Sequence, residues 1–144
     1  MEDTVFQIYV ACSSLLVLNL LFLANGTGYA RAKAGRVVNP EDDKVIKGAE
    51  VVPQEADKVA RYRRAHQNAL ENILPFLPMG YIMAVHTHPS VALAAGLFGT
   101  FTFFRLAHTF FYLKGIQPWR TASFAIAALT LTGIVGVIAF KVLA

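Results

Sequence analysis

Residues 61–76 read RYRRAHQNALENILPF. Arg61, Arg63 and Arg64 open the stretch, and Glu71 and Pro75 lie inside the apolar tract that follows. The surrounding chain decides how such a charged entry is read. Residues 4–30, 72–104 and 121–140 contain no Lys, Arg, Asp or Glu. About 20 apolar residues cross the hydrocarbon layer of a bilayer as a helix. The 144 residues are 56% hydrophobic and only 15% charged, against roughly a quarter charged in soluble domains. The stretch 61–76 is therefore the entry of a helix into lipid, with polar groups carried inward on one face.

Four spans follow, at about 5–27, 62–86, 90–113 and 119–142, in a single membrane domain over 1–144. The first is too long for a signal h-region, lacks a basic leader and follows acidic Glu2 and Asp3, so it reads as a true span. His86 to Pro89 and Lys114 to Pro118 are short connections, so the helices they join are antiparallel neighbours. Pro89 suits the first turn of the third helix, Gly115 its end, and Pro118 the start of the fourth. The long connection, about 28–60, is polar. Nine of the thirteen Lys and Arg residues fall within 31–64, which is a loop and a helix end rather than a basic face for nucleic acid. This bias places the 28–60 loop in the cytoplasm and both termini opposite. The expected fold is an all-α, integral membrane four-helix up-down bundle. The single cysteine, Cys12, allows no internal disulfide and reads as a small core residue.

On a helix, Arg64, Asn68 and Glu71 share one face, with Arg61 a turn earlier and His66 off the stripe. Arg105, His108 and Tyr112 share a face of the third span. Glu71 and Arg105 reach comparable depth, so they are expected to meet, and an intramembrane carboxylate needs such a partner. A register-locking ion pair alone would account for those two residues, but not for the alignment of Asn68, His108 and Tyr112. Pro75 removes the hydrogen bond to the Glu71 carbonyl and Pro78 that to Leu74, which predicts a kink beyond the stripe. Asn19 reads as an interhelical hydrogen bond or as part of a polar pocket. His86 and His88 lie in a turn with too few ligands nearby for a metal.

"RAHQNALENILPF" (64–76), "RLAHTFFYL" (105–113) and "NPED" (39–42) resemble the membrane-associated proteins in eicosanoid and glutathione metabolism, the MAPEG family. The prostaglandin E synthase and microsomal glutathione transferase branches are the most similar. The resemblance covers about 31–121. It implies a homotrimer of four-helix subunits, with glutathione bound between neighbours near the cytoplasmic side. It implies glutathione contacts from Arg31, Arg64, Asn68, Glu71, His108 and Tyr112, and a place in the polar core for Arg105. Arg120 resembles the arginine that holds the sulfur as a thiolate, with the Thr121 hydroxyl beside it. The residue types suit that ligand. Arginine forks match carboxylates, Glu71 matches an ammonium, and a nearby cation lowers a thiol's pKa. No metal is required.

The chain departs from the prostaglandin synthase pattern at Gln67, Thr121 and Phe124, where arginine, serine and tyrosine are typical of that branch. The expected activity is therefore conjugation of the glutathione thiolate to lipophilic electrophiles delivered by the bilayer. Reduction of lipid hydroperoxides and isomerisation of a prostaglandin endoperoxide are the enzymatic alternatives. A non-catalytic lipid-binding scaffold is the alternative from another class, and Arg120 and Tyr112 weigh against it. The location implied is a bacterial inner membrane or the endoplasmic reticulum.

Overall fold

A computed structural model of the protein describes residues 2–143. Four long helices dominate: α1 (Glu2–Ala34), α2 (Asp57–His86), α3 (Val91–Lys114) and α4 (Trp119–Leu143). At 1.5 Å per residue they run from about 36 to about 50 Å, longer than the ~30 Å hydrocarbon layer. Three of them, α1, α3 and α4, combine that length with enough apolar character to cross a membrane. The second expected span, α2, is as long, but Arg61, Arg63, Arg64 and Glu71 make its first half too polar to qualify by composition. Its buried face is Ala65, Ala69, Ile73, Phe76, Gly80 and Met83, an i, i+4, i+3 stripe that packs inward.

The helices pack with α2 and α3 at the centre. Helix α2 touches all three others, α3 does the same, and α1 and α4 stay apart. Water-driven burial contributes little between helices in lipid, so close packing of shaped side chains must hold them. The Phe76 and Phe101 rings stack at 4.4 Å, and Phe98 meets Phe76 edge-on at 5.8 Å. Tyr9 of α1 packs on Phe98 and donates its hydroxyl to the Leu77 carbonyl at 2.8 Å. Helix α2 runs as one element through Pro75 and Pro78.

Several boundaries differ from the sequence reading, among them the start of α2, at Asp57 rather than near residue 62. Helix α1 continues to Ala34, a further seven residues past Thr27. Arg31 and Lys33 sit in its last turn, where cations offset the negative end of the helix dipole, so the helix persists beyond its apolar part. Pro89 lies before the helix rather than within its first turn. Ser90 is the N-cap of α3, its hydroxyl accepting from the Leu93 N–H at 3.2 Å. Gly115 does end α3, in the left-handed conformation at φ 71°, which glycine adopts without a Cβ penalty. Between α1 and α2, a two-residue parallel pair, β1 (Arg36–Val37) with β2 (Glu50–Val51), brackets a 3-10 turn over Pro40–Lys44.

Candidate functional site

The loop-bearing end of the bundle gathers the polar side chains. Helix α2 brings Asn68, α3 brings His108 and Tyr112, and α4 brings Arg120 and Thr121. With Phe124 these line one cavity of about 260 Å³.

The floor of that cavity is held by Arg105. Its side chain is fully buried, and Nη2 donates to Asn68 Oδ1 at 2.9 Å and to the Asn68 carbonyl at 3.1 Å. The expected contact with Glu71 is not made. Glu71 is exposed and accepts from Gln67 Nε2 at 3.1 Å instead. The register explains the difference. Residues 68 and 71 are separated by about 4.5 Å along the helix axis and about 60° around it, and α3 docks so that Arg105 meets the residue nearer the loop end.

His108 ties α3 to the start of α4. Its Nδ1 lies 2.9 Å from the Arg120 carbonyl and 3.5 Å from Ser123 Oγ. A carbonyl can only accept, so Nδ1 carries the hydrogen. The Nε2 atom is buried with no hydrogen-bond partner among the described residues. The Ser123 hydroxyl also bonds back to the Trp119 and Arg120 carbonyls, at 2.8 and 3.0 Å.

Arg120 stands over the Tyr112 ring, 5.0 Å from its centroid, a cation–π arrangement. Gln117 braces it from the preceding turn. With the amide oriented so that its oxygen faces donors, it accepts from Arg120 Nε at 3.1 Å and Nη2 at 2.7 Å. Its nitrogen then donates to Thr121 Oγ1 at 3.0 Å. That arrangement leaves the Thr121 hydroxyl hydrogen available to a ligand.

The other candidate residues lie elsewhere in the single chain. Arg31 and Arg64 line a separate cavity of about 550 Å³ under the long loop, together with Asn39, Asp42 and Glu55. Arg31 pairs there with Glu55 at 3.2 Å and Asp42 at 3.9 Å. Arg63 Nε approaches the other oxygen of Glu55 at 3.0 Å. Arg61 leaves the stripe altogether and donates from Nη1 to the Tyr112 carbonyl at 3.3 Å. Asn19 makes the expected interhelical bond, donating to Thr109 Oγ1 at 3.0 Å.

Sequence reasoning missed Gln117 and Ser123. Ser123 was legible as a neighbour of Arg120 one helical turn on, at i+3, whereas Gln117 lies in the turn before α4, where helical spacing does not place it. An arginine, a phenol, an amide and a hydroxyl converge in the cavity, and the buried His108 Nε2 has no protein partner among the described residues.

A bundle of long apolar helices with a polar cavity at one end is a membrane protein. Its relatives give the family. A family model described as the MAPEG family matches residues 9–140. The chain is 32% identical over 128 residues to "Microsomal glutathione S-transferase 1" of Homo sapiens, covering 86% of this chain and 82% of that protein. It is also 32% identical over 130 residues to "Prostaglandin E synthase" of Bos taurus, covering 90% and 84%. The chain belongs to the MAPEG family.

Proposed function

We propose that the protein is a membrane glutathione transferase that conjugates lipophilic electrophiles, with the reacting sulfur seated at Arg120. The observation that carries this reading is the bracing of Arg120 between the Tyr112 ring at 5.0 Å and the Gln117 amide, beside Thr121. Glutathione supplies the nucleophilic thiol. Arg120 favours the thiolate over the thiol, because a fixed cation stabilises the adjacent anion most strongly where water is scarce. Thr121 donates a hydrogen bond to the same sulfur. Asn68, His108 and Tyr112 orient the peptide, and the bilayer delivers the electrophile. The name of one relative, a microsomal glutathione S-transferase, supports glutathione use.

Arg31, Arg64 and Glu71 join the reading through a second copy of the chain. In one chain, Arg31 lines a different cavity from Arg120, and Glu71 faces outward. A homotrimer, in which the loop-bearing end of α1 abuts the neighbour's α2 and α4, brings these groups to one ligand.

The test is direct. Purified protein in detergent is mixed with glutathione. The ultraviolet difference band of the thiolate and the conjugation of a dinitrohalobenzene are then recorded. Both are expected. Binding of glutathione with neither signal would replace this reading with a non-catalytic scaffold.

A further inference from the structure

The cavity around Arg120 is not the only built feature at this end of the bundle. A second groove, of about 460 Å³, opens between α1, the start of α2 and the end of α3. None of its lining residues lines the Arg120 cavity. Its rim holds three cations, Lys58, Arg61 and Lys114, and no carboxylate lines it. Among the described residues, none of the three is in an ion pair. Arg61 is held in place by its bond to the Tyr112 carbonyl at 3.3 Å, and it packs against Gly115, where a Cβ would come within 2.9 Å of Nη1. The wall below is apolar, with Phe22, Leu106 and Phe110. Phe22 and Phe110 are each 54% exposed on the outside of the bundle. The Asn19–Thr109 hydrogen bond satisfies the polar groups beneath.

We propose that this groove binds an anionic phospholipid. The phosphate is held by Lys58, Arg61 and Lys114, and one acyl chain lies against Phe22 and Phe110. Charge complementarity selects the occupant. Cations gathered where a helix leaves the membrane attract anionic headgroups, and the half-exposed rings continue from the rim into the depth that acyl chains occupy. On α1, Phe22 and Arg31 are nine residues apart, which is about half a turn of rotation. The groove thus faces away from the Arg31 cavity and toward lipid.

The experiment is native mass spectrometry of the whole protein, released from mixed micelles of phosphatidylglycerol and phosphatidylcholine, with inorganic phosphate as a separate arm. Phosphatidylglycerol is expected to remain bound in preference to phosphatidylcholine. In Lys58→Gln/Lys114→Gln its binding should weaken roughly twenty-five-fold, since each interfacial cation contributes about fivefold. Lys44→Gln/Lys47→Gln, in the loop, should leave it unchanged. Phe110→Ala should weaken both lipids alike. Equal retention of the two lipids, or an unaltered double variant at the rim, would overturn the proposal. Inorganic phosphate binding as tightly as the lipid would overturn it too, because the apolar wall would then contribute nothing.

Discussion

Arg105 of α3 places Nη2 2.9 Å from Asn68 Oδ1 of α2, with the guanidinium fully buried. Its two remaining nitrogens, Nε and Nη1, have no hydrogen-bond partner among the described residues. The same asparagine lines the Arg120 cavity. The bond therefore joins the support of the bundle to the wall of the site, and the two ends of it are not equivalent.

Removing the Asn68 side chain leaves the buried guanidinium only the Asn68 backbone carbonyl as acceptor, whereas removing the arginine strands only a neutral amide at a cavity wall. Asn68→Leu is expected to cost about 3 kcal/mol and Arg105→Met less than about 1 kcal/mol. Thermal unfolding in detergent measures both. The reverse order would show that Arg105 finds another acceptor.

Arg120→Ala removes the cation proposed to hold the thiolate. The turnover number should fall by about 100-fold or more, the effect of losing one preorganised stabilising donor. Glutathione affinity should change much less. Loss of the thiolate band with binding retained in calorimetry is the expected signature. Unchanged turnover would move the activating role to another residue.

Gln117 is a positioning residue, since it acts through Arg120 and Thr121. Gln117→Leu should lower kcat several-fold while KM for glutathione stays close to that of the parent, a smaller loss than Arg120→Ala. Gln117→Glu keeps the acceptor but loses the donor to Thr121 and adds an anion against Arg120, so its rate should also stay below that of the parent. A change confined to KM would place Gln117 in ligand binding instead.

Helices α1 and α2 approach closely where Gly26 faces the Tyr62 ring. A Cβ at Gly26 would fall 2.8 Å from Tyr62 Cδ1. Gly26→Ala should destabilise by about 2 kcal/mol through overpacking. Adding Tyr62→Ala should return part of that loss in a double-mutant cycle. Additive losses would mean that the helices part without using the tyrosine.

The proposed trimer makes a prediction that a single-chain site does not. Arg31→Ala and Arg120→Ala, each impaired alone, should regain activity when co-expressed. A neighbour pair can then combine Arg31 of one chain with Arg120 of the other, on the order of a quarter of the pairs for random mixing in a closed ring. The yield is read from turnover of the co-purified protein. No recovery would confine the site to one chain.

How much of this was legible beforehand differs by residue. The α3 end at Gly115 and the start of α4 after Pro118 came from glycine's tolerance of the left-handed conformation and from proline's unsuitability for a helix interior. Asn68, His108 and Tyr112 on facing helices came from spacing alone, and they do line one cavity. The Glu71–Arg105 contact failed because helical periodicity gives a face but not the axial offset of two helices. Arg61 belonged by spacing to the stripe, yet it turns to cap the end of α3. A helix end leaves carbonyls with spare acceptor capacity, and the Tyr112 carbonyl, which already accepts from the Gly115 N–H at 3.2 Å, also takes Arg61.

By itself, the sequence determined that this is a helical membrane protein, where the polar groups enter its apolar tracts, and which faces they occupy. Charge-free stretches and turn residues are local properties, and lipid admits few backbone solutions. Only the tertiary structure decided which of those polar groups meet. It paired Arg105 with Asn68 rather than Glu71, tied His108 to the Arg120 carbonyl, and sent Arg31 and Arg64 to a separate cavity. Those choices depend on a few ångströms of sliding and some tens of degrees of rotation between packed helices, set jointly by side chains such as Phe76, Phe98 and Phe101 that are far from the site in sequence.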